Sequence, residues 1–518
     1  MEGAALTILD LIVIALYLVG MVSVGIWFAR KSSNTEEFMA AGRSLPGWVV
    51  GLSIFGTYVS SISFIANPGK AYQANWNPLL FSLSIPLAAL IAVKFFVPFY
   101  RSSSEISAYN HLETRFGAWA RVYAVLCYLM TQLGRTGTIL FLVAKVIFPL
   151  FDQQIPVVWI IVVTGILVTT YTLLGGIEAV IWTDAIQSAV LTLGILTTLG
   201  VLAWNLAGGP VAAVSEASHQ GKLSLGTLDF SWTAETFWLT LIYGLFINLQ
   251  NFGIDQSYVQ RYATAKSEAD ARRSVWLGAL LYVPISAALF LIGTLLWVFY
   301  RQQGGLPDGI KADDVYPLFI VQQLPPGITG ILIAAILAAA MSSVDSSLNC
   351  SATLILCDVY KRFFRPLAGE RESMVVLYAA TLIFGLLGTL AACAMIGIKS
   401  ALDVWWAIAA IASGGMLGLF LLGYLSRRAN GSAALAGVVT GLVIIVWMSL
   451  CRASFWSFLN PGESGKGELP GILKPWECSL HANWTIVLST TAIVLVGLMW
   501  TSVFSLPPAS AKINGSPQ

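Results

Sequence analysis

Residues 331–356 read ILIAAILAAAMSSVDSSLNCSATLIL. In length and apolar content the stretch suits a bilayer crossing, which takes about 20 such residues. Its centre nonetheless holds Ser342, Ser343, Asp345, Ser346, Ser347 and Asn349. On a helix, Ala339, Ser342, Asp345, Ser346 and Asn349 recur at spacings of three and four and so share one face, with Ser343 at its edge. A charge at mid-bilayer costs at least ~2.5–3.5 kcal/mol, so a carboxylate persists there where something pairs with it. A hard cation, which prefers hydroxyl, carboxylate and carbonyl oxygens, is one such partner. The plainer alternative has the serines bonding back to their own helix and Asp345 carrying a proton. An earlier broken helix, described below, tips the balance towards a cation site.

The rest of the chain agrees with a membrane setting. Of 518 residues, 57% are hydrophobic and only 10% charged, which places the chain among integral membrane proteins. Thirteen stretches are long and apolar enough to span: 6–29, 47–72, 78–100, 117–149, 155–174, 180–206, 234–256, 274–300, 328–357, 374–397, 401–424, 432–452 and 484–504. The first carries Asp10 and Tyr17 and lacks a cleavage pattern, so it reads as a retained span rather than a signal peptide. One set of loops holds sixteen Lys and Arg, Arg261 among them, and the opposite set holds seven. That bias predicts an outside N-terminus and a cytoplasmic C-terminus in the cell membrane. The net charge of +2, without a basic cluster, gives no reason to expect a nucleic-acid partner. The six cysteines lack metal spacing, and only Cys451 and Cys478, flanking one loop, are candidates for a disulfide. No phosphate-binding loop or nucleophile motif occurs, and none of the three histidines (His111, His219, His481) lies in a core span. An enzyme is not expected.

Two spans look broken. The second, GWVVGLSIFGTYVSSISFIANPGKAY, crowds Thr57, Ser60, Ser61 and Ser63 at its centre and ends at Asn67-Pro68-Gly69. The seventh, WLTLIYGLFINLQNFGIDQSYVQRY, carries Gly244, Asn248, Gln250, Asn251, Gly253 and Asp255. They lie five spans apart, hence in opposite orientations. That is the pattern of inverted repeats whose first helices unwind at a midplane site, although Gly/Ser helix packing explains either span alone. Asp184 sits about one turn inside the sixth span. Asp10, Asp255 and Asp403 lie near span ends and read as structural, and Lys94 and Lys145 snorkel. Arg135 lies mid-span, where it either pairs with a protein carboxylate or faces an anionic ligand.

With GTYVSSISFIANPGKAY (56–72), LLGGIEAVIWTDAIQS (173–188) and AAAMSSVDSSLNCSATLILCDVYKR (338–362), the chain resembles the sodium:solute symporter family over nearly its whole length. Within it, ISAYNHLETRF, the GR of span four and VQRY look most like the bacterial sialic acid branch. The resemblance implies an all-α membrane protein with thirteen helices and a LeuT-type five-plus-five inverted repeat. Its parts would be an extra span and loop (1–46), repeat one (47–206), repeat two (234–424) and two C-terminal spans with a tail (425–518). It implies a first Na⁺ site from the carbonyls of Gly56, Val59 and Ala339 and the hydroxyls of Ser342 and Ser343. A second Na⁺ site would use Asp184, Ser342, Asp345 and Ser346, with a carboxylate at 345 where that branch looks serine-like; a proton site there is the alternative. Substrate contacts would fall to Thr57, Ser60, Ser63, Ser82 and Arg135. Tyr58, Pro78 and Ser82 depart from the sialic acid pattern. The expected activity is Na⁺-coupled import of a small, anionic, polar solute by a monomer in the lipid bilayer, such as a sialic acid or related sugar acid. The alternatives are a neutral solute or a symporter-like sensor without transport.

Overall fold

The structure, a computed structural model, describes residues 6–30, 32–103, 105–148, 155–306, 310–396, 415–456 and 469–504. Ten of its helices are long and apolar enough to cross a membrane, or eleven if one sharply bent pair counts as a single span. α1 (Ile8–Ala29) is followed by a short α2 (Thr35–Ala40). The bent pair comes next: α3 (Gly47–Tyr58) and α4 (Ser61–Gln73) meet at 56°. α5 (Leu79–Ile91) runs through a π-helical segment, Ala92–Phe96, into α6 (Val97–Ser102). Then come α7 (Asn110–Phe116), α8 (Ala118–Ile147) and α9 (Val157–Asn205).

After α10 (Gly209–His219), a second break separates α11 (Phe237–Ile254) from α12 (Gln256–Thr264). α13 (Glu268–Gln302), α14 (Val315–Gln323) and α15 (Ile328–Leu354) follow, the last continued by a π-helical Ile355–Phe364. α16 (Glu370–Ala394), α17 (Met416–Leu425), α18 (Gly431–Leu450), α19 (Ala453–Trp456) and α20 (Trp484–Phe504) complete the described chain.

Both expected helix breaks are present. At the first, Val59 leaves the helical region (φ −86°, ψ 95°) and Ser60 caps α4 by accepting from the Ser63 N–H. At the second, Asp255 is extended and caps α12 by accepting from the Ser257 N–H at 2.8 Å. Expected spans five and six form one helical run of 49 residues, interrupted where Gly176 adopts φ 59°, ψ −159°. A side chain could not follow there, because a Cβ would lie 2.9 Å from the Phe38 Cα and 2.7 Å from the Ser32 hydroxyl. Most of expected span eleven, with Asp403, lies outside the described residues.

Burial explains how the opening stretch tolerates its oxygens. In the run Ile328–Phe364, 89% of the most apolar part is buried inside the protein, against 17% for Ile8–Ala29. α15 packs against α9, α8, α16 and α1, and α13 packs against α3, α4 and α5. The seam therefore faces other helices rather than lipid. Cys451 and Cys478 are both free thiols, so the candidate disulfide is not formed. What joins that loop is a backbone hydrogen bond, Cys478 N–H to the Cys451 carbonyl at 2.7 Å.

Candidate functional site

The break after Tyr58 does chemical work because a helix end frees the carbonyls of its last turn. The Val59 N–H takes that of Phe55, and the Arg135 guanidinium takes that of Thr57 at 3.2 Å. Gly56 belongs to the same turn and lies against α15 and α9. A Cβ there would fall 3.0 Å from the Ser342 hydroxyl and 3.1 Å from that of Ser188, so a side chain would press both hydroxyls back and glycine leaves the backbone close to them. Ser343 leans back on the Ala339 carbonyl at 3.3 Å. The turn bearing Gly56 thus meets the Ala339–Ser343 turn of α15, joining a freed helix end to two hydroxyls. Such an all-oxygen set suits a hard monovalent cation.

The other seam residues gather on Asp184. Its carboxylate is fully buried and accepts from Ser342 at 2.5 Å, from Ser53, and from Arg261 at 2.8 Å. Ser346 gives its hydroxyl proton to the Ser342 carbonyl at 2.8 Å and accepts from Arg261 at 2.7 Å. Asp345 accepts from the Tyr171 hydroxyl at 2.8 Å. The back-bonding alternative therefore holds for Ser343, Ser346 and Ser347 (which donates to the Ser343 carbonyl), while Ser342 donates across to Asp184. Asn349 accepts from Gln260 at 3.0 Å and ties α15 to α12.

Arg261, counted from the sequence as a cytoplasmic-loop cation, is fully buried. The chain does not leave the protein after Asp255; it continues as α12, which carries Arg261 into the cluster with further bonds to Ser53 (2.7 Å) and the Ser257 carbonyl (2.6 Å). Sequence reasoning also passed over Ser53, Ser188 and Tyr171. The sequence does carry signals: VQRY is one of the stretches that look like the sialic acid branch, and Ser188 follows Asp184 by one helical turn.

The solute-facing candidates form a second group. Arg135 is half-buried, makes no ion pair among the described residues, and lies within electrostatic reach of Asp255. The Ser60 and Ser63 hydroxyls are 3.4 Å apart. The Tyr282 hydroxyl lies among Ser63, Ser82 and Asn67, and Ser82 shares a 2.7 Å hydrogen bond with Ser286. Thr57 donates its hydroxyl to the Ser53 carbonyl and gives its own carbonyl to Arg135, so it reaches the solute group through that guanidinium. Beside them Tyr58 packs against Tyr258, Tyr282 and Phe252, with ring centroids 5.0, 5.3 and 5.7 Å away.

Residues 38–441 match the profile of the sodium:solute symporter family. The chain belongs to that family. It is 32% identical over 454 residues to a sodium/sialic acid symporter of Aliivibrio fischeri, covering 86% of this chain and 89% of the relative. It is 33% identical over 437 residues to one of Proteus mirabilis, with 83% and 87% covered. A solved substrate-bound, outward-open Na⁺-coupled sialic acid symporter superposes with a TM-score of 0.86 at 29% identity, covering 96% of this chain and 98% of that one. This protein is thus a multi-pass, all-helical membrane transporter coupled to sodium, not an enzyme.

Proposed function

We propose that the chain carries a sialic acid or closely related sugar acid inward together with Na⁺, by alternating access. The observation that carries the anionic substrate is Arg135: a guanidinium at mid-span whose one described hydrogen bond goes to a backbone carbonyl. An arginine fork matches a carboxylate in two parallel hydrogen bonds. The hydroxyls of Ser60, Ser63 and Ser82 suit a polyol, and the Tyr58–Tyr258–Tyr282 wall suits the apolar face of a sugar ring. What the similar symporters carry supports the same solute class.

In this reading the first Na⁺ site is Gly56, Val59, Ala339, Ser342 and Ser343, between the broken α3–α4 pair and α15. A second uses Asp184, Ser342, Asp345 and Ser346, and the similar solved symporter also reveals a further Na⁺ site. Na⁺ bound at the first site would hold the helix break against α15 and so complete the solute site beside it. Each elementary charge moving inward gains about 2.3 kcal/mol per 100 mV. The architecture is thirteen spans: the Gly176 break divides Val157–Asn205 into two, and two five-helix repeats begin at the broken pairs. The N-terminus lies outside, and removing Arg261 from the loop count leaves the charge bias intact.

Competition for uptake tests the substrate. Carboxylated sugars should compete while their amides should not, and Arg135→Lys, which keeps the charge but loses the fork, should weaken uptake roughly tenfold or more. Normal transport of a neutral sugar by Arg135→Lys, with no organic acid competing in wild type, would rule out the anionic substrate.

A further inference from the structure

Ala41, Gly42 and Arg43 follow one another with φ 50°, 57° and 54°. Residues other than glycine enter that left-handed region rarely, and singly. Ala41 and Arg43 are the only non-glycine residues in it among the described residues. Such strain persists where contacts on both sides enforce it, and it gathers at switches. Here the two sides belong to different parts of the protein.

Before the turn, α2 is docked on α9, α15 and α16. The Phe38 ring meets Tyr378 edge to face at 5.8 Å, and the Thr35 hydroxyl donates to Glu370 at 3.2 Å. Phe38 and Met39 are buried with Ala352, Leu356 and Leu377, and the Phe38 backbone presses on Gly176. After the turn, Leu45 is paired with the end of α12. Its N–H donates to the Thr264 carbonyl at 3.0 Å, and its carbonyl accepts from the Lys266 N–H at 2.9 Å. Gly47 then opens α3 so close to α13 that a Cβ on it would fall 2.7 Å from the Asp270 carbonyl. The helices sort the same way: α8, α9, α15 and α16 pack on one another, whereas α13 packs against α3, α4 and α5, and α5 against α11. The turn is thus a short covalent bridge between two helix sets. What spans it is easily broken: an exposed Arg43–Glu36 pair at 2.7 Å and a Gln260 hydrogen bond to the Met39 carbonyl at 2.7 Å.

We propose that Ala41–Gly42–Arg43 is a hinge: α2 stays with α9, α15 and α16, Leu45 and α3 move with α12 and α13, and the turn absorbs the difference. This rests on the alternating-access reading above. Hinges are a few residues at element ends that take up large backbone rotations, and left-handed strain at Ala41 and Arg43 keeps a relaxed conformation within reach once the two bonds across the turn open.

Reversible cross-linking of the whole protein in proteoliposomes, read as Na⁺-driven uptake of a labelled sialic acid, tests this. Glu36→Cys with Arg43→Cys, bridged by a short bis-methanethiosulfonate, freezes the turn and should lower uptake about tenfold or more relative to the unbridged variant, with recovery in dithiothreitol. Leu45→Cys with Ala265→Cys closes a disulfide between residues on one side of the hinge, at a backbone bridge whose spacing suits it, and should leave uptake within about twofold. Wild type treated alike subtracts effects at the native cysteines. Independently, Gly42→Pro cannot hold φ 57°; it should lose uptake about tenfold or more yet keep the wild-type Na⁺-dependent thermal shift. Undiminished uptake in the bridged Glu36/Arg43 variant, or in Gly42→Pro, overturns the hinge. Equal loss from the Leu45/Ala265 link overturns it too, by showing that Leu45 moves against α12. Should Gly42→Pro not fold, or the Glu36/Arg43 variant be inactive unbridged, the other decides. A wild type without Na⁺-driven uptake overturns the transport reading and the hinge with it, whereas an active wild type with a harmless turn cross-link overturns the hinge alone.

Discussion

Ser342 and Ser347 stand five residues apart on one buried helix and spend their hydroxyls differently. Ser342 reaches Asp184 and touches the Gly56 turn, while Ser347 bonds Gln132 at 2.7 Å and the Ser343 carbonyl at 2.8 Å. Ser342→Ala should therefore raise half-saturating Na⁺ by about tenfold or more, and Ser347→Ala by less than about twofold. Superimposable sodium-activation curves for the two variants would contradict the assignment. A second residue sets a pH limit outside the spanning helices. His111, on α7, packs edge-on to Phe99; burial first, and then the Arg115 charge, lowers its imidazole from 6.5 to about 4. As pH falls, the unfolded chain takes that proton below 6.5 and the folded one only near 4, so the stability gained from neutral His111 is complete above 6.5 and shrinks across that window. Thermal unfolding followed through the window should fall more steeply for wild type than for His111→Gln. Parallel curves would show that His111 contributes nothing there.

Elements are set by a few backbone positions. Gly176 holds φ 59° and ψ −159°, in a region open essentially to glycine alone, with α2 pressed against it. Gly176→Ala should cost ~1–3 kcal/mol for the conformation alone, seen as a lower melting temperature in detergent; an unchanged melting temperature would show that the bend absorbs a side chain. That bend was only half legible. The apolar stretches on either side were read as separate spans, but nothing in the pattern distinguished a bend from a loop, and GG is an ambiguous signal. The breaks at Val59 and Asp255 were legible because hydroxyls, amides and glycines accumulate where a membrane helix gives up its backbone bonds. The seam was legible by its period of three and four. Arg261 was not. Charge counting assigns an arginine to a loop when its segment is short and polar, and α12 is short and polar because it is buried among Asp184, Ser53 and Ser346. Only tertiary packing reveals that partner.

For the whole molecule, the arrangement concentrates polarity along one internal face and leaves apolar side chains outward, as on α1, where Ile8, Leu16 and Trp27 are exposed. In water such a surface would aggregate; in lipid it is solvated. The interior face runs from the Arg135 group, through the break in α3–α4, to the Asp184–Asp345 cluster, so solute and cation candidates share one wall. Coupling follows if neither set is complete without the other. The decisive experiment is uptake of a labelled sialic acid into proteoliposomes carrying only this protein, under an inward Na⁺ gradient. Transient accumulation above the external concentration, abolished by a sodium ionophore and absent with choline, is the predicted result. Equal uptake in Na⁺ and choline, or accumulation that survives collapse of the Na⁺ gradient, would contradict it.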